Sequence, residues 1–104
     1  MSNGREQQFK DLVAEFPDSP MGHFSLGKLL LGERRYPEAV SSLERAAELD
    51  GDYAAALVAL GEAYVGAGRV AEARKTFERA KEKALAQKHN GLAEELDEKL
   101  EELA

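Results

Sequence analysis

The chain has 104 residues, a formal net charge of −6 and no cysteine. This length fits one domain, and the lack of cysteine excludes disulfides and cysteine-ligated metal sites. The acidic balance disfavours nucleic acid as a partner, because binding to phosphates requires a basic surface. No run of about 18 apolar residues predicts a membrane segment, so we expect a cytoplasmic protein without a membrane partner.

Residues 3–16 form the first segment, which contains the sequence REQQFKDLVAEF. The next segment, residues 20–53, has apolar residues at steps of three and four, which predicts helices, and one interruption at GERRYPE. It is therefore predicted to form a helical hairpin. Pro37 suits the first turn of the second helix, because its missing N–H would have no helical partner there.

Gly27 lies in the middle of an apolar run, HFSLGKLLLGE, where glycine costs about 1 kcal/mol relative to alanine. The following segment, residues 54–87, repeats the pattern with a period of 34 and places Gly61 at the same point. The residues identical to those 34 positions later are Leu26, Gly27, Gly32, Arg35, Glu38, Ala39, Glu44, Arg45, Ala46 and Glu48. We infer that the repeated glycine lets the helix that carries Ala39 and Ala46 approach closely.

The last segment, residues 91–103, is predicted to be an acidic helix. The preceding helix, in KTFERAKEKALAQKH, is expected to run long and to be broken by Asn90 and Gly91. Several basic residues between positions 69 and 88 precede the acidic helix, and antiparallel packing would let some of these charges pair. The apolar stripe of the last helix consists of Leu92, Leu96, Leu100 and Leu103.

The repeated residues resemble the tetratricopeptide repeat, a 34-residue unit with the pattern W-x2-L-G-x2-Y followed by A-x3-F-x2-A. The second unit matches it at Leu60, Gly61, Tyr64, Ala73, Phe77 and Ala80, and the first at Leu26, Gly27, Ala39, Leu43 and Ala46. The departures are His23 and Leu57 for tryptophan, Leu30 for tyrosine and Gly51 for the closing proline. Upstream, Phe9, Leu12 and Pro17 fit the second half of such a unit.

The resemblance implies an all-α, right-handed superhelix of antiparallel helical hairpins with about six helices. Its parts would be a lone N-terminal helix at 3–16, repeat 1 at 20–53, repeat 2 at 54–87 and an acidic capping helix at 91–103. If Leu96 takes the role of Leu26 and Leu60, Asp97 stands where the earlier helices have glycine. A carboxylate there would block a close neighbour, so we expect the array to end at this helix.

In this family the first helices of successive units line a concave groove that holds peptides or partner helices. Carried over by spacing, the partner-binding groove residues are Met21, Phe24, Lys28, Leu31, Val58, Glu62, Val65 and Glu98. The lysine and asparagine of a carboxylate clamp, which grips chaperone C-termini, would fall at Phe24 and Lys28 and at Val58 and Glu62. Only Lys28 is basic, so an apolar or basic partner segment fits better than a chaperone tail.

We therefore predict a non-catalytic protein–protein interaction module that binds a partner helix or peptide in this groove. A homodimer formed through the same face is the alternative. The chain has only His23 and His89 as histidines and no phosphate-binding glycine motif. We accordingly expect no catalytic residues, no cofactor and no metal.

Overall fold

The computed structural model describes residues 3–104, which form six helices with no strand among them. This confirms the predicted all-α helical repeat. The helices are α1 (Asn3–Glu15), α2 (Pro20–Gly32), α3 (Tyr36–Leu49), α4 (Ala54–Gly66), α5 (Val70–Ala86) and α6 (Asn90–Glu102).

Among α2 to α6, α2 alone begins with a side-chain cap. The Ser19 side chain accepts a hydrogen bond from the Met21 N–H at 3.3 Å, and Pro20 starts α2. Pro37 lies in the first turn of α3, as predicted. In the turn between α3 and α4, the Asp50 carboxylate accepts from the Asp52 N–H at 3.0 Å, which is how aspartate stabilises a tight turn.

Three turns share one geometry, in which a residue with a positive φ follows the helix. Arg34 (φ 60°) ends α2, Gly68 (φ 78°) ends α4 and Lys88 (φ 61°) ends α5. The prediction that the helix continues to His89 and is broken by Asn90 and Gly91 was therefore wrong in its position. α5 ends at Ala86, three residues before His89, because the His89 N–H bonds back to the Ala84 carbonyl at 2.7 Å and Lys88 takes the left-handed conformation. Asn90 and Gly91 lie in the first turn of α6.

Each helix packs against the next along the chain, and α2 also packs against α4. The first helices of the two hairpins are therefore neighbours on one side of the stack, which measures 36 × 27 × 20 Å. Leu43, Leu57 and Leu96 are the largest fully buried side chains, one each from α3, α4 and α6. The stripe on α6 is thus part of a continuous core.

The repeated glycines are where the two helices of a hairpin meet. A Cβ built on Gly27 would lie 2.5 Å from the Leu43 Cγ, and one built on Gly61 would overlap with the Phe77 ring. The close approach was predicted, and the residues that exploit it are Leu43 and Phe77, not the alanines of the same helices.

Charged pairs reinforce the ends of the stack. Arg35 bonds to Glu6 of α1 at 2.6 Å and to Glu38 at 2.7 Å, which ties α1 to the start of α3. Lys81 of α5 pairs with Asp97 of α6 at 2.5 Å. Within the described residues, this is the one side-chain ion pair between α5 and α6, so the basic excess of α5 is paired with α6 only in part.

Candidate partner-binding groove

The side of the stack formed by α2 and α4 carries an open depression of about 200 Å³. We call it the central groove. Four of its lining residues are apolar side chains or alanines of α2 and α4, Leu92 is contributed by α6, and two are charged. The residues are Phe24, Lys28, Ala55, Val58, Ala59, Glu62 and Leu92.

Tyr53 and the hydrophobic core support the apolar residues on the floor of the central groove. Phe24 stacks on Tyr53 with the ring centroids 4.9 Å apart and the planes tilted by 41°, a geometry typical of aromatic pairs. Phe24 and Val58 are half-buried and pack against the hydrophobic core. Burial, together with the nearby Asp50 carboxylate, raises the pKa of Tyr53 above its ordinary value of 10, so its ring is a neutral surface at physiological pH.

A second depression of about 150 Å³ continues the surface between α4 and α6. Glu62 lines both depressions, and its carboxylate lies 3.4 Å from the Lys99 ammonium of α6. Val65 is 40% exposed at the far edge. The residues that line this second depression are Glu62, Val65, Phe77, Lys99, Glu102 and Leu103.

The structure brings most of the expected groove residues together. Phe24, Lys28, Val58 and Glu62 share the central groove, and Val65 lies in the adjoining depression. The other three do not line either depression. Met21 is 59% exposed, Leu31 is half-buried against the core and Glu98 is exposed on α6.

The groove residues predicted from the sequence do not include Leu92 and Lys99, which line the two depressions, nor Tyr53, which stacks on Phe24. Leu92 and Lys99 belong to α6, which lies outside the two 34-residue units. The alignment on Leu96 placed Glu98 on the groove, whereas the adjacent Lys99 reaches Glu62. The negative charge that Glu62 brings to the groove is therefore partly neutralised by Lys99.

The chemistry available here is that of binding. Among the described residues, no group of three or more histidine, aspartate or glutamate side chains is placed to hold a metal ion. None of the described helices is both long and apolar enough to cross a membrane. An open apolar floor with isolated charges can hold a partner through burial of its side chains and fix its register through the charges.

Solved structures with the same fold include several in complex with other proteins. The TPR2B domain of yeast Sti1 in its pHsp70 complex matches with a TM-score of 0.88 at 19% identity, over 94% of this chain and 78% of that one. PcrH in complex with the chaperone binding region of PopD matches with a TM-score of 0.91 at 22% identity, over 97% and 77%. The translocator chaperone SycD of Yersinia enterocolitica gives 0.87 at 19% identity, over 97% and 73%.

A comparison with curated proteins finds no match. Family models do match, and both describe the tetratricopeptide repeat. One covers residues 30–93 and the other residues 6–47, so together they span α1 to the start of α6. The first alone covers more than half of the sequence, and the helical hairpins, the period of 34 and the glycine contacts agree with it. The chain belongs to the tetratricopeptide repeat family.

Proposed function

We propose that this chain is a non-catalytic protein-interaction module that holds a partner helix or extended peptide in the central groove. The observation that carries the proposal is the open apolar floor of Phe24, Val58 and Leu92, supplied by three different helices. Contiguous apolar surface of this kind is typical of interaction sites.

The charges indicate what the partner presents to the groove. Glu62 is already engaged by Lys99, so a basic partner residue gains less from it than the sequence suggested. Lys28 forms no ion pair within the described residues. The main contribution is therefore burial of apolar partner side chains, and Lys28 and Glu62 set the register.

The proteins with the same fold support a peptide or protein as the partner, since PcrH is in complex with the chaperone binding region of PopD and the Sti1 domain is in a pHsp70 complex. We do not extend the proposal to a chaperone C-terminus. A carboxylate clamp needs several basic or amide side chains, and Phe24, Val58 and Glu62 occupy three of its four positions here.

The test is selection of peptides from a random display library on immobilised wild-type chain, followed by measurement of Kd for the enriched peptides. Ala55→Glu, on the central groove, should weaken binding at least about tenfold, or roughly 1.4 kcal/mol. Ala71→Glu is the matched control, because Ala71 is also exposed at the second position of its helix but lies on α5 outside the groove. Equal binding by both variants would contradict the proposal.

The same two variants address the homodimer alternative. Sedimentation of the wild-type chain at micromolar concentration should show a monomer. A stable dimer that Ala55→Glu dissociates and Ala71→Glu leaves intact would show that a second copy covers the groove, and the proposal of a peptide site would then be wrong.

A further inference from the structure

A further surface, separate from the depression between α4 and α6, lies between α1 and α2. It is an open depression of about 570 Å³. We call it the N-terminal acceptor surface and define it by Arg5 and Phe9 of α1 and Ser25 and Leu29 of α2. It borders the central groove, because Phe24 and Lys28 line both depressions.

The period of 34 shows what covers such a surface elsewhere in the chain. One repeat later, the equivalents of Arg5, Phe9, Ser25 and Leu29 are all buried. Those equivalents are Ala39 (0% exposed), Leu43 (0%), Ala59 (3%) and Ala63 (0%). They lie on α3 and α4, and α2 packs against both of these helices. The N-terminal acceptor surface is therefore equivalent to a surface that a helix covers one repeat later, and no described helix covers it.

The position of Phe9 indicates what an occupant must present. Its equivalents Leu43 and Phe77 each fill the space over a glycine of the covering helix. Among the described residues, no glycine-bearing helix covers Phe9 in this way, and its side chain is only half-buried. Its ring is instead contacted by the Arg5 guanidinium, 5.7 Å from the ring centroid. Because an exposed cation–π contact is worth only about 0.5–1 kcal/mol, an incoming helix with a small residue can displace Arg5 from the ring.

The charged residues of the N-terminal acceptor surface indicate the sign of the charge that an occupant should carry. Arg5 and Lys28 form no ion pair within the described residues, and the one acidic residue of the depression, Glu33, is paired with Arg35 at 3.1 Å. The surface is thus locally basic on a chain of net charge −6. An acidic side chain beside the small residue would complement both cations.

We propose that the N-terminal acceptor surface docks an amphipathic helix of a partner protein, with a small residue over Phe9 and an acidic residue facing Arg5 and Lys28. This docking site is distinct from the central groove. A second copy of this chain is a poorer occupant. Every exposed side chain of its acidic helix α6 is polar or charged apart from Gly91, and its apolar residues pack inwards.

The probe is a fluorescently labelled, hydrocarbon-stapled peptide with the sequence of α4, AAALVALGEAYVG. The staple is needed because an isolated helix of this length is marginal in water. The peptide carries the required pair, Gly61 followed by Glu62. In the chain itself, Lys28 of α2 and Glu62 of α4 are equivalent residues, 34 positions apart, and they line one depression. A peptide docked on the N-terminal side of α2 would take the place of a helix one repeat earlier. Its glutamate would then stand at the equivalent position, next to Lys28.

Fluorescence anisotropy should show saturable binding to the full chain. Gly32→Trp should weaken it at least tenfold by filling the depression, because a Cβ at Gly32 meets nothing within 4 Å. Gly51→Trp is the matched control, since Gly51 is equally open but lies in the turn before α4. Arg5→Glu should also weaken binding, and a peptide with Glu62→Lys should bind Arg5→Glu better than it binds the wild-type chain.

The groove variant Ala55→Glu should bind the stapled peptide normally, because Ala55 lines the central groove and not the N-terminal acceptor surface; this separates the inference from the proposed function. Absence of binding to the wild-type chain would overturn the inference, as would equal binding by Gly32→Trp and Gly51→Trp. Self-association of the wild-type chain that Gly32→Trp abolishes would assign the surface to a second copy and also overturn it.

Discussion

Phe77 occupies the space over Gly61 that any larger side chain at that position would need. The ring is 2% exposed and cannot swing into solvent. The same relation joins Gly27 to Leu43 in the first hairpin. The two helices of each hairpin are therefore held together by the same contact, which is used once in each unit.

This relation predicts that Gly61→Ala destabilises the protein, although alanine favours a helix by about 1 kcal/mol over glycine. Overpacking of a filled core costs about 1–3 kcal/mol, and the overlap of a Cβ on Gly61 with the Phe77 ring places this substitution in the upper part of that range. After the gain in helix propensity is subtracted, we expect a net loss of about 1–2 kcal/mol in the free energy of unfolding. Gly32→Ala is the control, because a Cβ there meets nothing within 4 Å, and it should be neutral or stabilising. Urea denaturation measures both, and a Gly61→Ala chain as stable as the control would refute the packing account.

The backbone conformation of Lys88 predicts that glycine at this position stabilises the folded protein. It has a φ of 61° in the turn that is equivalent to the one in which Gly68 has a φ of 78°. The left-handed conformation costs a side-chain-bearing residue about 1–2 kcal/mol, so Lys88→Gly should raise the free energy of unfolding by about 0.5–1 kcal/mol, because glycine also makes the unfolded chain more flexible. Gly68→Ala should lower it. A lower melting temperature for Lys88→Gly than for wild type would contradict this reading of the turn.

Leu96 tests whether α6 is part of the cooperative core. Its side chain is fully buried, so Leu96→Ala should cost about 2–5 kcal/mol through the lost burial and the cavity left behind. Leu85→Ala is the comparison, since Leu85 is 50% exposed and its replacement should change stability by about 0.5 kcal/mol or less. Equal losses for the two variants would mean that α6 unfolds independently of the stack.

The ionised carboxylate of Glu6 is expected to stabilise the folded state, and this stabilisation should be lost in acid. Hydrogen bonds from Arg35 and then from Lys10 lower the pKa of Glu6 from 4.5 to about 2. The folded state therefore favours the ionised carboxylate, and the stabilisation is complete above pH 4.5 and lost as the pH falls towards 2. Glu6→Gln should be less stable than wild type at neutral pH, and the gap should close over that window.

The control for Glu6 is Glu15→Gln, at the exposed end of α1, where no ion pair joins Glu15 to another described residue. Melting temperatures from pH 7 to pH 2 make the comparison. A constant gap between wild type and Glu6→Gln across that range would show that the carboxylate charge does not stabilise the fold.

The features that sequence alone predicted are those repeated within 34 residues. Gly27 and Gly61 marked the hairpin packing because both contacts lie inside one unit, and Phe24, Lys28, Val58 and Glu62 were placed together by the same spacing. Contacts that depend on α6 were harder to place. α6 lies outside the two 34-residue units, and the residue of α6 that reaches Glu62 is Lys99, next to the predicted groove residue Glu98.

The end of α5 was also misplaced, for a different physical reason. Asn90 and Gly91 are the residues that most often break a helix in that stretch of sequence, whereas the turn forms at Lys88 despite the strain of its positive φ. The local His89 to Ala84 hydrogen bond closes α5 there, and the burial of Leu96 fixes the following helix. The burial of Leu96 is a tertiary contact, which has no signature in the residues next to the turn.

The most direct test of the proposed function is to locate a selected peptide on the chain by heteronuclear NMR. Titration of a library-selected peptide into labelled wild-type protein should shift the amide signals of Val58, Glu62 and Leu92 most strongly, because these residues line the central groove. The signals of Arg45 and Lys75, exposed on α3 and α5, should stay unchanged. Shifts concentrated at Arg45 and Lys75, with the groove signals unmoved, would contradict the account.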